Sequence, residues 1–195
     1  MSDALTFTPW IRVLTDRGPA FLRDVRFPAI LASLVLSAWC LFLDDVINND
    51  GILYVRTAEL ISRGEWQAAI GSYKWFFYPL LMAIVGKLTG LSLELSAHVL
   101  NAGFTALTVV TFISLVRELG GSRSVVMAAA ILVLLFPGLN EYRSFVIRDA
   151  GYIAFYTLAL LLFVRNLKGP TWWLTTGWIA TMVVATLFQI GRAHV

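Results

Sequence analysis

The fold class this sequence predicts is an all-α polytopic membrane protein, and three observations predict it. Hydrophobic residues make up 58% of the chain and the mean hydropathy is +0.77. Charged residues, only 14% of the total, stand in short stretches between long apolar runs, which excludes a soluble domain with a dry core and a charged surface. The formal net charge is +3, but in such a chain Lys and Arg report topology before they report an anionic partner, so nucleic acid is not indicated. The single cysteine, Cys40, excludes an internal disulfide and a cysteine-based metal cluster, and it reads as a small apolar residue of the first run.

Residues 1–26 read as a cytoplasmic leader. They hold Arg12, Arg17, Arg23 and Arg26 with Asp3, Asp16 and Asp24, too long and too acidic a segment for a cleaved signal peptide. A partial transmembrane domain is expected over 27–189, with spans at about 27–43, 93–116, 125–139, 150–164 and 172–188 and an outer loop at 44–92. Within that loop, 76–88 is apolar but short and interrupted by Pro79 and Gly86, whereas roughly 20 residues are needed to cross a hydrocarbon core of about 30 Å. Treating it as a juxtamembrane helix puts Arg12, Arg17, Arg23, Arg26, Arg117, Arg123, Arg165 and Lys168 in the cytoplasm. Arg56, Arg63, Lys74, Lys87, Arg143 and Arg148 then lie outside. Letting it span equalises the two sets, so the first topology is preferred, with a cytoplasmic N-terminus in a multi-pass protein of the bacterial inner membrane.

Two polar segments then meet on the outer face: the loop from Asp44, and Asn140-Glu141-Tyr142-Arg143-Ser144-Phe145-Val146-Ile147-Arg148-Asp149. Charge held at a bilayer boundary costs free energy unless solvated or paired, so such clusters are site candidates. Asp44 and Asp45 mark the exit of the first span. Asn48-Asn49-Asp50-Gly51 reads as a turn into a helix over 52–63, closed by Gly64, with Leu53, Leu60 and Ile61 on one face and Arg56, Glu59 and Arg63 on the other. Glu59 and Arg63 are spaced for an i,i+4 pair. Asp50 can cap that helix, or serve as a base that takes a proton from a hydroxyl. Spacing leaves both open.

The ordered pattern Asn49-Asp50-Gly51, Tyr54, Ala58, Ile61, Gly64, Trp66, Ser72-Tyr73, Tyr78-Pro79-Leu80-Leu81 and Leu88-Thr89-Gly90-Leu91-Ser92 resembles the first outer loop of the GT-C membrane glycosyltransferases. Asn101, the Arg117-Glu118-Leu119-Gly120-Gly121 turn, Pro137 and Arg148-Asp149 extend the resemblance to about residue 168. The chain is most similar to the bacterial branch related to dolichyl-phosphate-mannose protein mannosyltransferases and to the aminoarabinose transferase of lipid A. It differs at Lys74-Trp75-Phe76-Phe77-Tyr78-Pro79, where the closest enzymes often carry an acidic-basic pair and two prolines.

The resemblance implies the N-terminal part of a GT-C helix bundle with a helical first outer loop. It also implies an enzyme that moves a sugar, a hexose or pentose, from a polyprenyl-phosphate donor to a glycan, lipid or protein acceptor at the outer face of the cell envelope. The family's proposed loop base matches Asp50, and a second acidic position matches Asp149, which equally reads as a helix cap paired with Arg148. A leaving lipid phosphate needs cations, and the candidates are Arg148, Arg143 and Lys74, with Tyr54 completing the expected donor site. No ligand-spaced His or Cys cluster exists, so the sequence identifies no metal site and no cofactor, and leaves the need for a divalent metal open. His98 reads as a structural polar contact. Partners are membrane lipid, the lipid-linked donor and the acceptor.

Ile190-Gly191-Arg192-Ala193-His194-Val195 resembles translated sequencing adapter, which predicts a truncated reading frame and an inactive fragment of a longer enzyme. Two other classes compete. A polyprenyl-lipid transporter would place basic residues in a central cavity, whereas here charge gathers at the boundary. A non-catalytic membrane assembly subunit would not need Asp50.

Overall fold

The computed structural model describes residues 24–43 and 47–189. The leader up to residue 23, Asp44, Asp45 and the segment 190–195 lie outside them. The described residues form nine helices and no strand: α1 (Arg26–Leu43), α2 (Asn49–Ser62), α3 (Trp66–Ser72), α4 (Phe77–Thr89), α5 (Leu93–Glu118), α6 (Arg123–Leu135), α7 (Pro137–Ser144), α8 (Asp149–Lys168) and α9 (Trp172–Gln189). Local chemistry sets many of these ends. Ser92 and Ser122 accept hydrogen bonds from Leu95 N–H (3.2 Å) and Val125 N–H (3.4 Å), satisfying orphan amides at the starts of α5 and α6. Gly90, at φ 76°, closes α4 in the left-handed conformation that costs other residues most.

α5 and α8 are each long and apolar enough to cross a membrane, and α6 with α7 would make a third if the bent pair is one span. The chain is a membrane protein. Ion pairs fix the relative direction of the helices. Asp24, before α1, accepts from Arg26 Nε (2.9 Å) and pairs with Arg117 at the far end of α5 (3.5 Å). Glu118 pairs with Arg165 (2.9 Å) and Lys168 (3.4 Å) at the end of α8. The start of α1 and the ends of α5 and α8 therefore share one end of the bundle, termed the basic end. Hydrogen bonding to Arg26 holds the Asp24 carboxyl down at about 2. α1 and α5 are antiparallel, α5 and α8 parallel, and the whole of 47–92 gathers at the opposite end, the loop end.

α4 is a short apolar helix packed against the first turns of α5. Its 13 residues rise only about 20 Å. Tyr78 lies against Ala97 and Asn101, about two turns into α5, while Gly86 lies against Leu91, Leu93 and Ser96. α2 packs on α4, so that Tyr54, Ala58, Ile61, Tyr78, Met82 and Ala97 form one buried cluster.

The segment expected as one span over 125–139 breaks. Pro137 has no N–H to donate and disfavours the helical region for Phe136, which sits at ψ 116°, and α7 departs at 43°. The Leu134 carbonyl, near the break, instead accepts from Asn140 Nδ2 at 3.0 Å.

Small residues let α8 and α9 approach closely. Ala150, Gly151 and Ala154 are buried, and Phe188 sits over Gly151 inside a nest of Phe77, Phe104 and Phe155, with ring centroids 5.0, 5.3 and 5.9 Å away. A Cβ at Gly151 would come within 2.5 Å of the Phe188 ring, which those neighbours prevent from yielding. Gly151→Val is expected to destabilise the chain by about 1–3 kcal/mol in detergent thermal unfolding. Gly177→Ala, whose Cβ would meet Leu162 Cδ1 at an ordinary 3.4 Å, should leave the transition unmoved.

Candidate functional site

The site candidates at the loop end depend on one short segment, residues 143–148, which is pinned from four directions. Arg143 leaves α7 and enters the bundle, where it is only 2% exposed. Its Nη1 donates to the Ser33 carbonyl (2.7 Å), Ser37 Oγ (2.6 Å) and Thr105 Oγ1 (3.3 Å); Nη2 donates to Ser33 Oγ (3.1 Å); Nε donates to Asn140 Oδ1 (2.9 Å). Two residues on, the Phe145 carbonyl accepts from Asn101 Nδ2 at 2.7 Å. Val146 N–H donates to Asn48 Oδ1 at 3.1 Å. Arg148 Nη1 donates to the Tyr73 hydroxyl at 2.5 Å, with the guanidinium carbon 5.9 Å from the centre of that ring. α1, α5, the residue before α2 and the α3–α4 connection each hold one point.

Asn101 ties this segment to the outer loop, because its Oδ1 also accepts from the Tyr78 hydroxyl at 3.0 Å. Three tyrosines continue the connection. The Tyr54 ring lies 5.5 Å from Tyr78, edge to face, and 5.4 Å from Tyr73. Burial pushes the Tyr54 phenol well above its ordinary range. The Tyr73 hydroxyl and the Asp50 carboxylate act in the same direction, and Arg148 acts against them. Tyr54 therefore stays protonated at any working pH, and it feels both the acid of α2 and the base before α8.

The sequence-predicted residues fall into two groups. Asp50, Tyr54, Arg148 and Asp149 come together at the loop end. Asp50 is exposed and lies in the first turn of α2, near the positive end of the helix dipole. It is not the cap of a helix starting at residue 52. α2 begins at Asn49, the N-cap position belongs to Asn48, and the Asn48 side chain is spent on Val146 rather than on a cap hydrogen bond. Asp149 is the first residue of α8, with Arg148 in the cap position. Lys74, exposed beside Tyr73, adds a cation on the α3–α4 connection.

Arg143 is the exception. Sequence reasoning placed it at the outer boundary as a phosphate ligand, yet its guanidinium is buried and bonded at every nitrogen, because α7 turns it inward. The Glu59 to Arg63 pair is likewise not formed among the described residues. Tyr73, Asn48 and Asn101 are the positioning residues that were not singled out for the site. Tyr73 and Asn101 stand in the ordered pattern above, but their partners are distant in sequence.

Arg148 is only partly buried, and no ion pair among the described residues engages it. A guanidinium offers five N–H donors in a planar fork, which suits an anion. Among the described residues no group of three His, Cys, Asp or Glu side chains is placed to hold a metal. His98 Nδ1 is buried without a hydrogen-bond partner in the same helix as Asn101.

A bundle with two apolar helices long enough to cross a membrane, or three if the bent pair is one span, defines the class as a membrane protein. A family model described as dolichyl-phosphate-mannose-protein mannosyltransferase matches residues 87–188, just over half of the chain, and the chain belongs to that family of membrane glycosyltransferases. The matched region carries Asn101, Arg143, Arg148 and Asp149; Asp50, Tyr54 and Lys74 precede it. No curated protein and no solved structure matches the chain.

Asn101→Leu removes partners from both the Tyr78 hydroxyl and the Phe145 carbonyl. It should cost about 2 kcal/mol or more in thermal unfolding and speed amide exchange at 145–148. Tyr78→Phe, which leaves Asn101 bonded to Phe145, should cost about half as much.

Proposed function

We propose that the loop end is the donor-side half of a glycosyltransferase site at the outer face of a bacterial inner membrane, with the N-terminus in the cytoplasm. It passes a sugar from a polyprenyl-phosphate donor to an acceptor hydroxyl. Asp50 is the base: it removes the hydroxyl proton as the oxygen attacks the anomeric carbon, and the bond from that carbon to the phosphate oxygen breaks with its electron pair on the phosphate. Arg148 carries the charge that develops there, assisted by Lys74, and the planar fork of its guanidinium suits two phosphate oxygens. Tyr54, neutral and buried, packs between Tyr73 and Tyr78 and so braces the loop that carries Asp50 against the residue that holds Arg148. Asp149, the first residue of α8, places negative charge at the positive end of that helix.

The observation that carries this reading is the hydrogen bond from Val146 N–H to Asn48 Oδ1 at 3.1 Å, which joins the chain two residues before Arg148 to the chain two residues before Asp50. A base and a phosphate-binding cation must face one substrate, and a carboxylate and a guanidinium on two segments tied together in this way suit that requirement. Family membership supports the transfer of a sugar, and mannose is the sugar its description names. The exposure of Asp50 suits a base that must meet an acceptor from the aqueous side.

In a complete homologue carrying the matching residues, Asp50→Asn should lower kcat by about 10²- to 10⁴-fold while membrane level and thermal unfolding stay unchanged. Transfer at the unaltered rate would remove Asp50 from the chemistry.

A further inference from the structure

We propose that Tyr73 is the positioning residue that sets the Arg148 guanidinium for a lipid phosphate. The inference rests on the reading of Arg148 given above. A long side chain at a helix start has many rotamers, and an arginine meant to grip two oxygens gains nothing from its planar fork unless the plane is fixed before the ligand arrives. Two contacts fix it here, and both come from one residue. The Tyr73 hydroxyl takes one hydrogen bond from Nη1, and the Tyr73 ring lies 5.9 Å from the guanidinium carbon.

Tyr73 is itself held. Its backbone N–H donates to the Ala69 carbonyl at 2.9 Å, its own conformation is extended where α3 stops, and its ring leans on Tyr54 at 5.4 Å. Tyr54 is 3% exposed and stacks edge-on against Tyr78, which is 1% exposed and bonded to Asn101. The arginine is therefore located by a row of packed rings reaching back to α5. The hydroxyl uses one of five guanidinium N–H donors and brings no negative charge, so the arginine keeps its full charge and most of its donors for a phosphate. A carboxylate in the place of Tyr73 would hold the side chain as well but would neutralise it. That difference makes a phenol the suitable partner for a cation whose task is to bind an anion.

The test uses this chain in lipid nanodiscs, with undecaprenyl phosphate and the neutral undecaprenol as probes and thermal unfolding recorded for each variant. Arg148→Ala should abolish the preference for the phosphate-bearing lipid. Tyr73→Phe, which keeps the ring and loses the hydroxyl, should weaken undecaprenyl phosphate binding by roughly tenfold, and Tyr73→Leu by more. Neutral undecaprenol binding should be unchanged in both. In the Arg148→Ala background, Tyr73→Phe should have no further effect, since the two residues act as one unit.

If Arg148→Ala loses the preference for the phosphate lipid but Tyr73→Phe binds that lipid as the parent does, the positioning role is overturned while the reading of Arg148 stands. Equal weakening of undecaprenol and undecaprenyl phosphate by Tyr73→Phe overturns it too, because the residue is then only structural. If the parent shows no preference for the phosphate lipid, or Arg148→Ala keeps it, the reading of Arg148 itself fails.

Discussion

The burial of Arg143 is the interaction on which the rest of the loop end depends. A guanidinium cannot shed its charge, and burying one beside Ser33 and Thr105, midway along the apolar helices α1 and α5, is costly unless every N–H finds an acceptor. The chain meets that demand with a helix carbonyl, hydroxyls and an amide, and no carboxylate among the described residues takes part. Ser33, a buried hydroxyl residue in the first apolar run, is explained by this one side chain. So is the amide of Asn140, whose nitrogen repairs the Pro137 break and whose oxygen receives Arg143 Nε.

With Arg143 anchored, the next residues have no freedom to drift. Asn101 takes the Phe145 carbonyl, Asn48 takes the Val146 amide, and Tyr73 takes Arg148. Each of these partners belongs to a different element, so the same bonds that fix the segment also fix the outer loop against the bundle. Close approach accompanies them: a Cβ on Gly51 would come within 2.9 Å of Val146 Cβ and 2.7 Å of Asn48 Oδ1, which leaves room at that position for glycine alone. Rigidity of this kind is what an electrostatic site requires, because donors that must rearrange during reaction stabilise the developing charge less. The site borrows its precision from the membrane helices rather than from the loop.

Much of this was legible in the sequence and some of it was not, for definable reasons. Helix type followed from apolar run length and from local signals such as Ser92, Gly90 and Pro137, which act within a few residues of themselves. Asp50 and Arg148 stand out as candidates because charge beside apolar sequence is conspicuous. Arg143 shared that conspicuousness and was placed at the outer boundary for the same reason; its inward path depends on the 43° turn of α7, which no local rule specifies. Asn48 read as part of a turn because its real partner, Val146, is far away in the chain. Tyr73 and Tyr78 look alike in sequence, yet one meets a cation and the other an amide. Pairings across long separations decide roles that residue type alone cannot.

The fold brings the outer loop and the start of α8 to one end of the bundle. Spin labels at Asn49→Cys and Ile147→Cys, in a Cys40→Ala background and in lipid nanodiscs, measure this directly by double electron–electron resonance. The account predicts a single narrow distance distribution well below the roughly 30 Å of the hydrocarbon core. A distribution centred at or beyond that thickness would put the two segments on opposite sides of the membrane and contradict the account.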